Sequence, residues 1–147
     1  MKALLQRVSS AKVEVGGWTV GEIDTGLLVF LCAVKGDTDE DLDYLVKKVL
    51  QLRIFEDDQG RMNRSVVDIQ GGILVVPQFT LAASVRKGNR PSFDNAEAPE
   101  RAKTFYENFV QRLRDQGAAV RTGEFAAMMD VSLVNDGPVT IWIDSRE

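Results

Sequence analysis

Two short segments hold the side chains best suited to chemistry in this sequence. In the first, Pro77 ends an apolar run and is followed by Gln78, Phe79 and Thr80. Proline cannot donate a ladder hydrogen bond, so a strand is expected to give out there. If the backbone stays extended, Gln78 and Thr80 face the same way and set an amide beside a hydroxyl. Chain segments at strand ends commonly carry substrate contacts; two solvated polar groups are the plainer reading of this segment alone. In the second, Asn135-Asp136-Gly137-Pro138 reads as a turn joining two strands. Gly137 lets the backbone approach a partner closely, and few X-Pro bonds are cis, so the residues alone favour a trans Gly137–Pro138.

What is missing narrows the chemistry. The chain has no histidine and one cysteine, so Ser-His-Asp and Cys-His catalysis are excluded, as are zinc sites of the usual nitrogen and sulfur type. No metal and no organic cofactor is expected. Cys32 lies in the apolar run Gly26–Val34 and reads as a small buried hydrophobe. A single cysteine makes no internal disulfide, which suits a reducing cytoplasm. No apolar run is long enough to cross a bilayer, and Met1–Val8 lacks the features of a signal peptide. Glu56–Gly60 does not fit a calcium loop, because counting back from Gly60 puts Phe55 at the first ligand position; a surface hairpin turn is preferred.

The net charge of −4 and pI near 4.9 argue against capture of nucleic acid by bulk charge. Positive charge is nevertheless concentrated at Arg86, Lys87 and Arg90, just beyond the first segment. With Arg61 and Arg64 these residues form either a phosphate-binding patch or a solvated loop.

The secondary structure around these segments is legible in outline. Ala3–Val8, Ala11–Val15 and Trp18–Ile23 read as strands, with Gly16-Gly17 as a tight turn. Gly26–Val34 reads as a strand buried on both faces. Leu42, Leu45, Val46, Val49 and Leu50 mark one helical stripe, and the acidic run Asp37, Asp39, Glu40, Asp41 and Asp43 reads as capping and a match to the helix dipole, with an acidic ligand site as the alternative. Arg53–Phe55 and Gly72–Phe79 read as strands. A second helix is expected from Pro99, with Ala102, Phe105, Tyr106, Phe109, Val110 and Leu113 as its stripe and Gly117 at its end. Val131–Val134 and Val139–Ile143 read as the last two strands. The sum is one α+β domain over residues 1–147, a curled barrel-like sheet covered by two amphipathic helices.

Six fragments in order resemble the D-aminoacyl-tRNA deacylase family along the whole chain: Ala3–Val8 with Gly26–Phe30, Arg53–Phe55 with Gly60–Asn63, Gln78–Leu81, Arg90–Phe93, Thr122–Phe125 with Met129, and Asn135–Thr140. Pro77 stands where that family usually has Ser, and Arg61 where it usually has Lys. The resemblance implies a homodimeric hydrolase that cleaves the ester between a D-amino acid and the 3′ end of tRNA, and glycine mischarged on tRNA(Ala). It further implies that Gly137–Pro138 is cis and enters the partner's pocket, that Arg7 holds this motif, and that Gln78, Phe79 and Thr80 line the pocket beside Ala102, Phe125 and Met129. The reaction would be RNA-assisted, with Thr80 as a positioning group; a nucleophilic Thr80 would need an activating base, and none is near it in sequence. The alternative is a non-catalytic RNA-binding module on the same scaffold.

Overall fold

The computed structural model describes all 147 residues. Strand β1 (Lys2–Val15) returns through Gly16-Gly17 into β2 (Trp18–Ile23) and β3 (Gly26–Cys32), which pair antiparallel with successive halves of it. The two strands expected within residues 3–15 are thus one. It passes through a register shift near Ser9 that turns its side chains over, so Ala3 and Leu5 serve one core while Val8, Ala11 and Val13 serve another.

Helix α1 (Asp39–Gln51), strands β4 (Phe55–Glu56) and β5 (Met62–Arg64), and β6 (Gly72–Pro77) follow. Strand β6 pairs parallel with β3, and after α2 (Pro99–Asp115) the chain returns as β7 (Ala119–Thr122), parallel to β6. Strand β8 (Asp130–Asp144) runs the length of β1 on the edge opposite β2 and β3. The sheet curls until β2 meets β6 and β7, an α+β domain with a nearly closed barrel-like sheet.

Both faces of β3 and β6 are buried, as their unbroken apolar runs require. Leu27, Val29, Ile73 and Val75 pack under the helices, while Leu28, Leu74 and Val76 point into the curl. Every apolar position of the α1 stripe is buried, and so is the α2 stripe apart from half-buried Ala102. Pro99 opens α2, and Gly117, at φ +86°, ends it in a conformation that side chains disfavour.

Capping accounts for only part of the acidic run. Asp41 accepts the Thr38 backbone N–H at 2.8 Å, and Asp39 and Asp43 bind Arg112 of α2. Asp37 is fully buried and pairs with the Met1 ammonium at 2.8 Å. The turn at Asp57–Arg61 is the surface hairpin expected: the Asp57 carboxylate accepts the Gln59 and Arg61 N–H groups, which hold its carboxyl below the usual range.

The two segments singled out for chemistry differ most from expectation. The chain leaves β6 at Pro77 and enters a single 3-10 turn, Phe79–Ala82, rather than staying extended. Residues Asn135–Pro138 form no turn between strands, since β8 is continuous through them. They sit in a bulge: two steps along β1, Gln6 to Val8, face five along β8, Thr140 to Asn135. Local turn chemistry is absorbed as three extra residues in a paired strand because pairing with β1 resumes on both sides.

Candidate functional site

The Gln78–Thr80 segment, the candidate cleft, lies where parallel strands β3 and β6 end. The Gln78 backbone N–H donates to the Leu31 carbonyl at 2.8 Å, extending the ladder by one bond before the chain turns. In the 3-10 turn, Leu81 N–H donates to the Gln78 carbonyl and Ala83 N–H to the Thr80 carbonyl. This geometry, not an extended strand, brings the Gln78 amide to the Thr80 hydroxyl, with Nε2 donating to Oγ1 at 2.5 Å. An amide is no base in either orientation, and no carboxylate or amine bonds Thr80. Its hydroxyl accepts from Gln78 and is left with a proton to donate.

Phe79 points outward, 58% exposed, and meets Phe93 edge to face with ring centroids 5.2 Å apart. Behind it, the Cys32 Sγ lies 3.5 Å from the Phe79 carbonyl. Burial pushes that thiol up to about 11, so it stays protonated and unreactive at neutral pH.

The neighbouring wall is built by α2 and by the chain after β7. The Tyr106 hydroxyl donates to the Val75 carbonyl at 3.3 Å, and burial raises its pKa to about 12 against an opposing hydrogen bond with Thr122. Phe125 packs on the Tyr106 ring at 5.9 Å, and Ala102 lies one turn before Tyr106 on the same face of α2. Gly123 N–H donates to the Val75 carbonyl. A Cβ at Gly123 would meet Met129 Sδ at 2.8 Å and Pro77 Cδ at 3.7 Å, which places Met129 beside the end of β6. Gln78, Phe79, Thr80, Ala102, Phe125 and Met129 are therefore gathered at one end of the sheet.

Arg7, Gly137 and Pro138 are gathered elsewhere. Arg7 is 5% exposed. Its Nη1 donates to the Ile54 carbonyl at 2.8 Å and its Nε to the Asp136 carbonyl at 3.2 Å, with the Asp136 carboxylate 3.4 Å away. Asn135 closes the bulge from the other side, its amide donating to the Arg7 and Val139 carbonyls at 2.9 and 3.0 Å. Between these braces Gly137 and Pro138 stand exposed, joined by a cis peptide, with Gly137 at φ +125°. The position favours glycine: its φ is rare for side chains, and a Cβ would fall 2.8 Å from Arg7 Nη2, which would have to shift.

The register separates the two groups within one chain. Arg7 is level with Leu27 and Pro77 with Leu31, about 13 Å along the strands, and β8 lies three strand spacings from β6, about 14 Å across. No hydrogen bond or ion pair links them. Arg61 and Arg64 are also apart, on the β4–β5 hairpin, where Arg64 pairs with Asp58. Sequence reasoning missed Tyr106 and Asn135 as site residues. Tyr106 was hidden in a helix stripe that reads as core, whereas Asn135 lay in a motif already singled out, and an amide beside a Gly-Pro pair was its signal.

A curled mixed sheet carries an amide–hydroxyl pair at the end of one strand and a braced Gly-Pro bulge on another. A sequence model of the D-Tyr-tRNA(Tyr) deacylase family matches residues 4–144. The chain is 58% identical to a D-aminoacyl-tRNA deacylase of Aquifex aeolicus (strain VF5), covering 100% of this chain and 99% of that one. It is 60% identical to a D-aminoacyl-tRNA deacylase of Persephonella marina (strain DSM 14350 / EX-H1), covering 99% of each. A solved structure described as a c-Myc DNA unwinding element binding protein superposes with a TM-score of 0.93 at 44% identity, covering 98% of each chain. This chain belongs to the D-Tyr-tRNA(Tyr) deacylase family, and with it to the hydrolases of carboxylic esters.

Proposed function

We propose that this chain removes D-amino acids, and glycine mischarged on tRNA(Ala), from tRNA by hydrolysing the ester at its 3′ end in the cytoplasm. It does so as a homodimer in which Gly137–Pro138 of one copy enters the Gln78–Thr80 cleft of the other. The observation that carries this reading is the separation just described. Each group is accessible and firmly braced, and one chain cannot bring them together, whereas a two-fold dimer offers each cleft a partner's bulge.

The chemistry asked of the protein is modest. An aminoacyl ester is already activated, and the neighbouring ribose 2′-hydroxyl assists its hydrolysis. The first N–H groups of the 3-10 turn have no partner inside it and are available for the developing oxyanion. Thr80, hydrogen-bonded to Gln78, orients the ester or its water. Main-chain atoms of the partner's Gly137–Pro138 occupy the direction an L side chain would take, so L-aminoacyl esters are refused by exclusion. Glycine, with no side chain, is not refused.

The test is release of amino acid from D-Tyr-tRNA and L-Tyr-tRNA by the purified protein. Rapid release from the D form alone is expected. Binding of both without release from either would favour a non-catalytic RNA-binding module, and turnover of small esters at the same rate as charged tRNA would remove tRNA from the reaction.

A further inference from the structure

The segment after the 3-10 turn carries a feature that the reaction above leaves unused. Ser84 and Ser92 close a loop at its base by two backbone hydrogen bonds, Ser84 N–H to Ser92 carbonyl at 2.8 Å and the reverse at 2.9 Å. The loop holds Arg86, Lys87 and Arg90, all exposed. None of the three has a carboxylate within ion-pairing distance, although acids outnumber bases in this chain. Arg86 and Lys87, with Ser84, Ser92, Asp94 and Asn95, line an open pocket of about 550 Å³ that contains no hydrophobic side chain. The loop is fixed to the cleft itself, because Phe93, the residue following its closing serine, packs edge to face on Phe79.

We infer that this loop is the phosphate-binding arm of the cleft: Arg86, Lys87 and Arg90 hold the backbone of the unpaired 3′ end of an RNA while the exposed Phe79–Phe93 pair offers its bases an aromatic surface. Unpaired cations beside exposed rings are the combination by which proteins grip single strands without reading sequence. Asp94, the one carboxylate of the pocket, lies at the closed end and leaves residues 84–95 at +2 in a chain of −4. A local grip of this kind resolves the conflict between an acidic protein and an anionic substrate: attraction is confined to the mouth of the cleft. The inference rests on the deacylase reading for its choice of RNA, but its test does not require turnover.

The probe is a fluorescent RNA hairpin with an uncharged single-stranded ACCA 3′ end, its binding followed by anisotropy from about 50 to 200 mM salt. Each phosphate held on a single strand contributes about −0.7 to the slope of log affinity against log salt, so Arg86→Gln/Lys87→Gln/Arg90→Gln flattens that slope by about 2. A second pair of proteins keeps the result independent of folding: Arg86→Lys/Arg90→Lys retains the slope, while Lys87→Glu alone flattens it by at least about 0.7. With D-Tyr-tRNA, the triple variant raises KM at least about tenfold while kcat stays within about twofold, as loss of ground-state binding requires. An unchanged slope in the triple variant and in Lys87→Glu overturns the inference even if D-Tyr-tRNA is hydrolysed normally. A protein that releases no D-tyrosine but shows the flattened slope retains the arm and loses the deacylase reading instead.

Discussion

At the scale of single residues, the cleft depends on geometry more than on reactive groups. Thr80 is held by a neutral amide and has no base, so Thr80→Ala is expected to slow D-Tyr-tRNA hydrolysis by about tenfold or more, the worth of one or two positioned hydrogen bonds, with an unchanged melting temperature. Rapid-quench trapping of an acyl group on Thr80 would contradict the positioning role. Arg7 is a different case, since it is buried and spans Ile54 and Asp136. Arg7→Ala is expected to cost about 1.5–3 kcal/mol in denaturant unfolding and to depress activity beyond that loss by freeing the bulge. Arg7→Lys should recover little, because an ammonium cannot reach two divergent carbonyls as a guanidinium does.

At the scale of elements, the start of α1 ties the two ends of the chain together. The Met1 ammonium, fully buried, donates to Asp37 at 2.8 Å and to the Ser145 hydroxyl at 2.6 Å, while Ser145 donates to Asp41. Arg146 reaches both Asp37 and Asp41. Asp37→Asn leaves a buried ammonium without its counter-charge and is expected to cost about 3–5 kcal/mol, read as a lower denaturation midpoint. Burial alone would push the Asp41 carboxyl up, but hydrogen bonds from Ser145 and Thr38 and the nearby ammonium outweigh it and bring it down to about 2. Its folded pKa lies below the unfolded one, so its contribution is complete above about pH 4 and is lost as pH falls toward 2. Thermal melts across that window should decline less steeply for Asp41→Asn than for the wild type; parallel curves would refute the assignment.

The elements also show what was legible in the sequence. The α1 and α2 stripes could be read because a helix repeats its buried face over several turns, and position after position agrees. Ala119–Thr122 could not: four residues are too few to show alternation, and they become a strand by pairing with distant β6. Asn135–Pro138 reads as a turn because each residue type favours one locally. Pairing to β1 before and after it overrides that preference. Alternation sets Gln78 and Thr80 side by side in an extended strand, whereas in the fold a 3-10 turn joins them. That Arg7 and Gly137 lie far from Thr80 depends on strand register across four strands, which no spacing in the sequence encodes.

At the scale of the whole molecule, the proposed cross-subunit arrangement predicts how mixtures of variants behave. Thr80→Ala and Gly137→Leu should each impair a homodimer, the first through its cleft and the second through the bulge it lends. A dimer of one chain of each kind has one cleft with both defects and one with neither, so unfolding and refolding the two variants together should restore hydrolysis of D-Tyr-tRNA. Activity no greater than the sum of the separate variants would place both residues in a site built within one chain. Because Gly137 lies beside Arg7 and Val139, the Gly137→Leu protein must first show a native melting transition.

The bulge also bears on how the sheet ends. Strand β8 pairs only with β1, so fifteen residues of sheet rim, with Val134 and Trp142 open to water, would offer a stranger's chain a long template for fibre growth. Three surplus residues interrupt its pairing with β1 midway and throw its two halves out of register, a common safeguard at sheet borders. Excising Asp136–Pro138 would restore an uninterrupted rim, and such a protein should turn cloudy on storage well before the parent does.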